Sequence, residues 1–340
     1  MKEKEEIILV TGGAGFIGSN FIEYYLAIYP DSRIINLDLL TYAGNLENLR
    51  VVEEHPKYTF IKGDICNRDL VSKIFKDFKI NAVINFAAES HVDNSIHDPE
   101  VFIRTNVNGT FNLLDIAYKS WMEEPFRYKK EFEGSRFHQI STDEVYGSLG
   151  ETGLFTETTP YAPNSPYSAS KASADMLVRS YHHTYGLDTL ITNCSNNYGP
   201  KQHDEKLIPT IIRKALSGEK IPIYGDGKNV RDWLFVQDHC RAINLAFKKG
   251  LSGEVYNVGG DGEKNNIGIA NIICEHLDAK KPKTSGSYKE QIEFVKDRPG
   301  HDRRYAIDAS KIKTELGWKP EEDFETGIEK TLKWYLTNFK

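Results

Sequence analysis

The chain has 340 residues, with 43 Lys and Arg set against 49 Asp and Glu for a formal net charge of −6. That mildly acidic balance argues against a general nucleic-acid-binding protein, and at roughly 150 residues per domain the length predicts about two domains around a large core. The charged opening Met1–Glu6 holds no signal-peptide core, and no apolar run is long enough to cross a bilayer, so no membrane partner and a cytoplasmic location are expected.

Ile7–Val10 reads as a buried strand, and Thr11-Gly12-Gly13-Ala14-Gly15-Phe16-Ile17-Gly18 as the tight turn and helix start that follow it. This is a dinucleotide fingerprint. Gly12, Gly15 and Gly18 let the backbone approach a pyrophosphate, which then sits on free amides at the helix N-terminus. A second strand, Ile34–Asp38, ends in a carboxylate at the spacing that suits an adenosine ribose diol and repels a 2′-phosphate, so NAD is expected over NADP.

Further short apolar runs at Tyr58–Gly63, Ala82–Ala87, Phe137–Ser141 and Thr189–Asn193 alternate with helical patterns. The alternation predicts an α/β fold with a doubly wound (Rossmann) parallel sheet, right-handed crossovers and a ligand outside the carboxyl ends of the strands. Asp64-Ile65, Ala87-Ala88-Glu89-Ser90 and Ser141-Thr142-Asp143-Glu144 all follow strands and fall at that edge. Glu123–Glu133 is a charged excursion, expected to be an exposed loop. Cys66, Cys194, Cys240 and Cys274 are widely spaced without a Cys-x-x-Cys or His/Cys frame, so reduced thiols and no metal site are expected.

Ser165-Pro166 ahead of Tyr167 combines a capping residue with a first-turn proline, so a helix is expected to begin here. Lys171 then lies one turn beyond Tyr167 on the same face. An ammonium near a phenol favours the phenolate, and Tyr167 becomes a base for a sugar hydroxyl whose carbon loses hydride. Taken alone, a Tyr and a Lys four residues apart are more often a solvated helix face. The adjacent acids Asp143 and Glu144 read either as an acid/base pair with separated proton affinities or as a helix cap with a first-turn glutamate. They converge on one site only if the chain has left the strand by Thr142, because successive strand residues face opposite ways.

Beyond Asn196–Pro200 the alternation weakens, and Gly, Pro, Lys, Arg and Tyr gather around Lys206–Pro209 and Pro222–Gly225. A smaller C-terminal substrate lobe is expected here. Arg231–Val236 and Glu254–Val258 look like strands re-entering the sheet, which places the cofactor domain at 1–193 with re-entry at about 229–260, and the lobe at 194–228 and 261–340. Asp297–Arg304 gathers cations around a turn, either a surface loop or a diphosphate clamp. Tyr161 either closes the pocket or packs beneath it, and Trp233, Trp318 and Trp334 are expected as core anchors.

These motifs, together with Phe86–Asp93, Arg231-Asp232-Trp233 and Asp297–Asp302, resemble the extended short-chain dehydrogenase/reductases over essentially the whole length, and within them the dTDP-glucose 4,6-dehydratases. The resemblance implies oxidation at carbon 4, loss of water across carbons 5 and 6, and hydride return to carbon 6, with Thr142, Asp143, Glu144, Tyr167 and Lys171 catalytic. It also implies an NAD site of Gly12, Gly15, Phe16, Ile17, Gly18, Asp38, Thr41, Asp64, Ile65, Ala87, Ala88, Ser90, Thr105, Tyr167, Lys171 and Asn197. For the nucleotide-activated hexose, dTDP-glucose, it implies Ser90, Thr142, Asn196, Lys206, Leu207, Pro222, Tyr224, Arg231, Asn266, Arg298 and His301. A homodimer formed through the helix near Asn108–Trp121 and the Tyr167 helix is expected on the same basis. Two other readings stay open: an NAD-dependent epimerase or decarboxylase, against which the Asp143-Glu144 pair argues, and a non-catalytic NAD-binding regulator, against which Tyr167 and Lys171 argue.

Overall fold

A computed structural model describes residues 5–338. In chain order they form β1 (Ile7–Thr11), α1 (Phe16–Ile28), β2 (Arg33–Asp38), β3 (Tyr58–Lys62), α2 (Arg68–Phe78), β4 (Ala82–Asn85), α3 (Val92–His97) and α4 (Pro99–Phe102). A π-helical stretch, Ile103–Gly109, leads into α5 (Thr110–Trp121), β5 (Met122–Glu124), β6 (Arg127–Tyr128), β7 (Arg136–Thr142) and α6 (Pro166–Tyr185). Then come β8 (Thr189–Cys194), β9 (Asn196–Tyr198), α7 (Leu207–Leu216), β10 (Ile221–Tyr224), β11 (Val230–Phe235), α8 (Val236–Lys249) and β12 (Val255–Val258). The chain ends with β13 (Glu263–Asn265), α9 (Asn266–Lys280), β14 (Ile292–Val295), α10 (Ser310–Leu316) and α11 (Phe324–Asn338).

Seven strands pair in the order β12-β8-β7-β4-β1-β2-β3, every pairing parallel. Strand order reverses between β1 and β4, so the crevice for a ligand opens at their carboxyl ends. Both faces of the sheet are covered. Leu9, Ile35, Val83 and Phe137 pack toward α2, α5 and α6, while Ile8, Val10, Ile34 and Ile84 pack toward α1 and α8. The continuous apolar strands of the sequence reflect this double burial.

Of the two late strands expected to rejoin the sheet, only β12 does so, beside β8. β11 pairs instead with β9 and β13 in a separate three-stranded sheet. Its Asp232 carboxylate accepts the Gly260 and Gly262 amides at 2.8 and 2.7 Å, which ties the start of the lobe to the end of β12. A second core around Ile211, Ile269, Ile273, Ile328 and Leu332 supports the lobe. Trp233 and Trp318 are buried, and Trp334 packs at the edge of that second core.

The excursion at 123–133 is exposed as expected but is not an irregular loop. It contains the β5/β6 hairpin, because its backbone finds partners on two helix ends: Phe126 N donates to Tyr185 O, and Lys129 N to Trp121 O, both at 2.8 Å. Cys194, Cys240 and Cys274 are buried, Cys66 is partly exposed, and all four are free thiols. No helix among the described residues is long and apolar enough to cross a membrane, and no group of three His, Cys, Asp or Glu among them is placed to hold a metal ion.

Candidate active site

A cleft of roughly 300 Å³ lies at the switch point. Its floor is the glycine turn between β1 and α1. Gly12 adopts φ +69°, and a side chain there would meet Ala87 N at 2.6 Å; on Gly18 it would meet Gly12 O at 2.5 Å. The sheet and helix can close this tightly only with glycine at both positions. No side chain caps α1 at Gly15, so the leading amides of that helix remain available to an anion.

At the next strand end, Asp38 accepts Ala14 N at 2.9 Å through Oδ2 and Leu40 N at 2.8 Å through Oδ1. Each oxygen keeps a further lone pair, enough for the two hydroxyls of a ribose. These residues fit a dinucleotide. Phe16, Ile17, Thr41, Asp64, Ile65, Ala87, Ala88, Ser90, Thr105 and Asn197 line the same cleft, as do Tyr167 and Lys171. Thr105 reaches it from the π-helical stretch, a local widening of the helix that recurs at functional sites.

The acid pair is turned by the end of β7. The strand stops at Thr142, and Asp143–Tyr146 form a single 3-10 turn. Thr142 caps that turn by accepting Glu144 N at 3.3 Å, so capping and convergence of the acids occur together. Both carboxyls line the cleft. Asp143 is buried, its Oδ2 has no hydrogen-bond partner among the described residues, and burial together with the nearby Glu144 and Asp232 charges raises its carboxyl well above the ordinary carboxylate range. Burial raises Glu144 as well, but the cations of Arg231, Arg298 and Lys206 oppose the shift. The two acids are therefore driven apart in proton affinity.

Helix α6 starts where the sequence marks it, through reciprocal bonds of 3.0 Å from Ser168 N to Ser165 Oγ and from Ser165 N to Ser168 Oγ. Tyr167 is buried with its ring edge-on to Phe102, centroids 6.3 Å apart. The phenolate expected from Lys171 is not what the chain alone holds. Burial first, and the negative charge of Glu144 second, push the Tyr167 phenol well above its usual range, while Lys171 Nζ donates to Ile140 O at 2.7 Å. A hydrogen bond from Thr142 partly offsets the shift.

Ser90, Thr142, Asn196 and Lys206 share the cleft, and Lys206 Nζ crosses from the lobe to donate to Ser90 O at 2.8 Å. Leu207, Pro222, Tyr224, Arg231, Asn266, Arg298 and His301 lie outside its lining. Arg231 is buried, its guanidinium 4.2 Å over the Tyr305 ring and bonded to Asp302 O at 2.9 Å. Arg298 pairs with Asp93 at 3.1 Å, Tyr224 OH reaches the other Asp93 oxygen at 3.5 Å, and His301 Nδ1 lies 2.6 Å from Asp297. Leu207 opens α7, Pro222 lies in β10 and Asn266 opens α9. Sequence reasoning did not assign Asp93, Glu205, Gln202 or Ser141. Asp93 closes the Phe86–Asp93 motif that carries the resemblance, and that was its signal.

Comparison with known proteins gives a consistent result. The family model described as GDP-mannose 4,6 dehydratase matches residues 9–331. A dTDP-glucose 4,6-dehydratase of Xanthomonas campestris is 58% identical over 331 residues, 97% of this chain and 93% of the relative. The crystal structure of dTDP-glucose 4,6-dehydratase from Bacillus anthracis in complex with NAD is 49% identical, covers 98% of this chain and 97% of its own, and superposes with a TM-score of 0.86. The Streptomyces venezuelae dTDP-glucose 4,6-dehydratase, crystallised with NAD bound, is 45% identical over 98% of this chain and 97% of its own, with a TM-score of 0.88.

Proposed function

This chain belongs to the dTDP-glucose 4,6-dehydratases, within the family that the GDP-mannose 4,6 dehydratase model describes, and we infer from that membership and from the site that it converts dTDP-glucose to dTDP-4-keto-6-deoxyglucose. The observation that carries the inference is the turn after β7, which aims one carboxyl held protonated and one facing three cations into the cleft that contains Tyr167. An epimerase has no use for that pair, because no bond to a leaving group breaks.

NAD+, when bound, would supply the hydride acceptor at carbon 4 and a positive charge in the cleft that contains Tyr167. Tyr167 removes the carbon 4 hydroxyl proton, with Thr142 holding the oxygen and Lys171 balancing the charge. The resulting ketone acidifies carbon 5. Glu144 takes that proton, and Asp143 gives its own to the carbon 6 hydroxyl, which leaves as water. Hydride then returns to carbon 6 and a proton to carbon 5. Gly12, Gly15 and Gly18 cradle the pyrophosphate and Asp38 the ribose, while the lobe supplies Lys206, Arg231 and Arg298 for the sugar nucleotide. The division into a cofactor domain and a discontinuous substrate lobe is part of this proposal.

Turnover in deuterated water tests the reaction: dTDP-glucose is expected to give a 4-keto-6-deoxy product with deuterium at carbon 5 and the transferred hydride at carbon 6, read by mass spectrometry and proton NMR. Unchanged sugar or its 4-epimer would overturn the reading.

The proposal extends to a cytoplasmic homodimer. Ile103 and Phe111, around the start of α5, and Met176, on α6, leave large apolar side chains 46%, 44% and 48% exposed on two helices that pack together, which supports a four-helix interface between two copies. Phe111→Asp is expected to shift the sedimentation mass from two protomers to one at micromolar concentration. A wild-type mass of one protomer would sink the dimer.

A further inference from the structure

Behind the catalytic pair lies a carboxylate to which the reaction above gives no task. Asp175 follows Lys171 by one helical turn on α6 and is completely buried. Its Oδ2 accepts Ser141 Oγ at 2.6 Å and Tyr161 OH at 3.3 Å, while Oδ1 has no hydrogen-bond partner among the described residues. Ser141 follows Ile140, whose carbonyl accepts the Lys171 ammonium at 2.7 Å. Two successive residues at the end of β7 thus grip the lysine and the aspartate together. Tyr161 packs against Tyr146 and Phe155, outside the cleft lining. Its hydroxyl receives Asn193 Nδ2 at 3.2 Å, and the same nitrogen bonds Tyr146 OH at 2.8 Å, so the carboxylate is anchored in a fixed polar network.

A carboxylate this deep in the core is costly unless it balances a charge. We propose that Asp175 is a positioning residue, the buried counter-ion one turn along α6 that keeps Lys171 an ammonium where the Ile140 carbonyl holds it in the cleft. The proposal rests on the dehydratase reading and adds a residue to its machinery.

The electrostatics agree in sign. Burial lowers the proton affinity of Lys171, and Asp175 is the foremost group opposing that fall, followed by Cys194 from β8. Asp175 itself is raised to about 6 by burial against the lowering influence of Lys171, Ser141 and Tyr161, so it is ionised at neutral pH. The other titratable groups facing it are Tyr161, from the loop ahead of α6, and Tyr146, from the turn after β7. Both phenols are raised by burial and stay neutral through the working range.

Removing the carboxylate therefore moves the pH at which Lys171 loses its proton downward. For Asp175→Asn, with NAD+ and dTDP-glucose saturating, the alkaline limb of the first hydride transfer, read as the single-turnover rate of reduced-nicotinamide formation and so apart from the Asp143-dependent elimination, is expected to move down by about one pH unit. The variant would lie within about twofold of wild type near pH 6.5 and fall about tenfold below it near pH 9, with KM little changed. Asp175→Glu, which keeps the charge, is expected to restore most of the alkaline limb. Asp175→Ser, which leaves room for a water, provides the same readout should the asparagine variant not fold. An Asp175→Asn or Asp175→Ser enzyme with a wild-type pH profile of that rate would overturn the proposal, as would a loss of the rate equal at every pH that Asp175→Glu does not relieve. Wild-type enzyme making no 4-keto product in the same assay would instead overturn the dehydratase reading.

Discussion

Glu144→Gln is expected to lower dehydration of dTDP-glucose by about 10³-fold while leaving oxidation at carbon 4 intact. Glutamine preserves the shape and much of the hydrogen bonding but cannot take a proton from carbon 5. The expected products in the variant are enzyme-bound 4-keto-glucose and reduced nicotinamide, read as a persistent reduced-nicotinamide absorbance with no deuterium entering carbon 5. Turnover within tenfold of wild type, or loss of the first oxidation as well, would show that Glu144 is not the carbon 5 base.

The pH profile of elimination carries the same logic with two signs. Glu144 must be ionised, and burial raises its proton affinity even though Arg231, Arg298 and Lys206 oppose the shift. Activity is therefore lost as pH falls through that raised value. Asp143 must be protonated, and its affinity is raised well above the carboxylate range, first by burial and then by Glu144. Activity is lost as pH rises through that second, higher value. Both acids are raised and Arg231 opposes the shift in each; Arg298 and Lys206 bear on Glu144, while the Glu144 and Asp232 charges raise Asp143 further, and these separate the pair.

The cofactor half of the site was legible because local backbone geometry dictates it. Gly12 and Gly18 are forced by approaches of 2.6 and 2.5 Å, and Asp38 by the end of a strand adjacent to β1, so their spacing in the sequence is the geometry. The start of α6 was legible for a similar reason, since a reciprocal cap spans only four residues. The far half depends on contacts between remote segments. Arg298 is held by Asp93, 205 positions away, and Lys206 by Ser90, 116 positions away, and no local period encodes either pairing. The sequence pattern of β11 likewise matches a core strand, and only its partners β9 and β13 place it in a different sheet. Spacing brings Lys171 to the face of Tyr167, whereas the bond of its ammonium to Ile140 O and the negative Glu144 charge that raises the phenol come from remote segments of the fold.

That arrangement makes Tyr167→Phe the more severe test. The phenol is buried against Phe102, and replacing it by phenylalanine keeps the ring, its edge-on contact and the α6 cap, so fold stability is expected to change by no more than about 1 kcal/mol. The first hydride transfer is expected to slow by about 10³-fold, because the carbon 4 hydroxyl loses the base that takes its proton. Unlike Glu144→Gln, this variant should accumulate no reduced nicotinamide; like it, it should exchange no carbon 5 proton, since that proton is acidic only once the ketone exists. Combining the two substitutions gives the sharper check. If oxidation precedes elimination, the double variant should be scarcely slower in forming reduced nicotinamide than Tyr167→Phe alone, whereas independent roles in one step would multiply the losses. A multiplied loss would mean that Glu144 assists the first proton transfer, and the division of labour between the turn after β7 and the head of α6 would have to be redrawn.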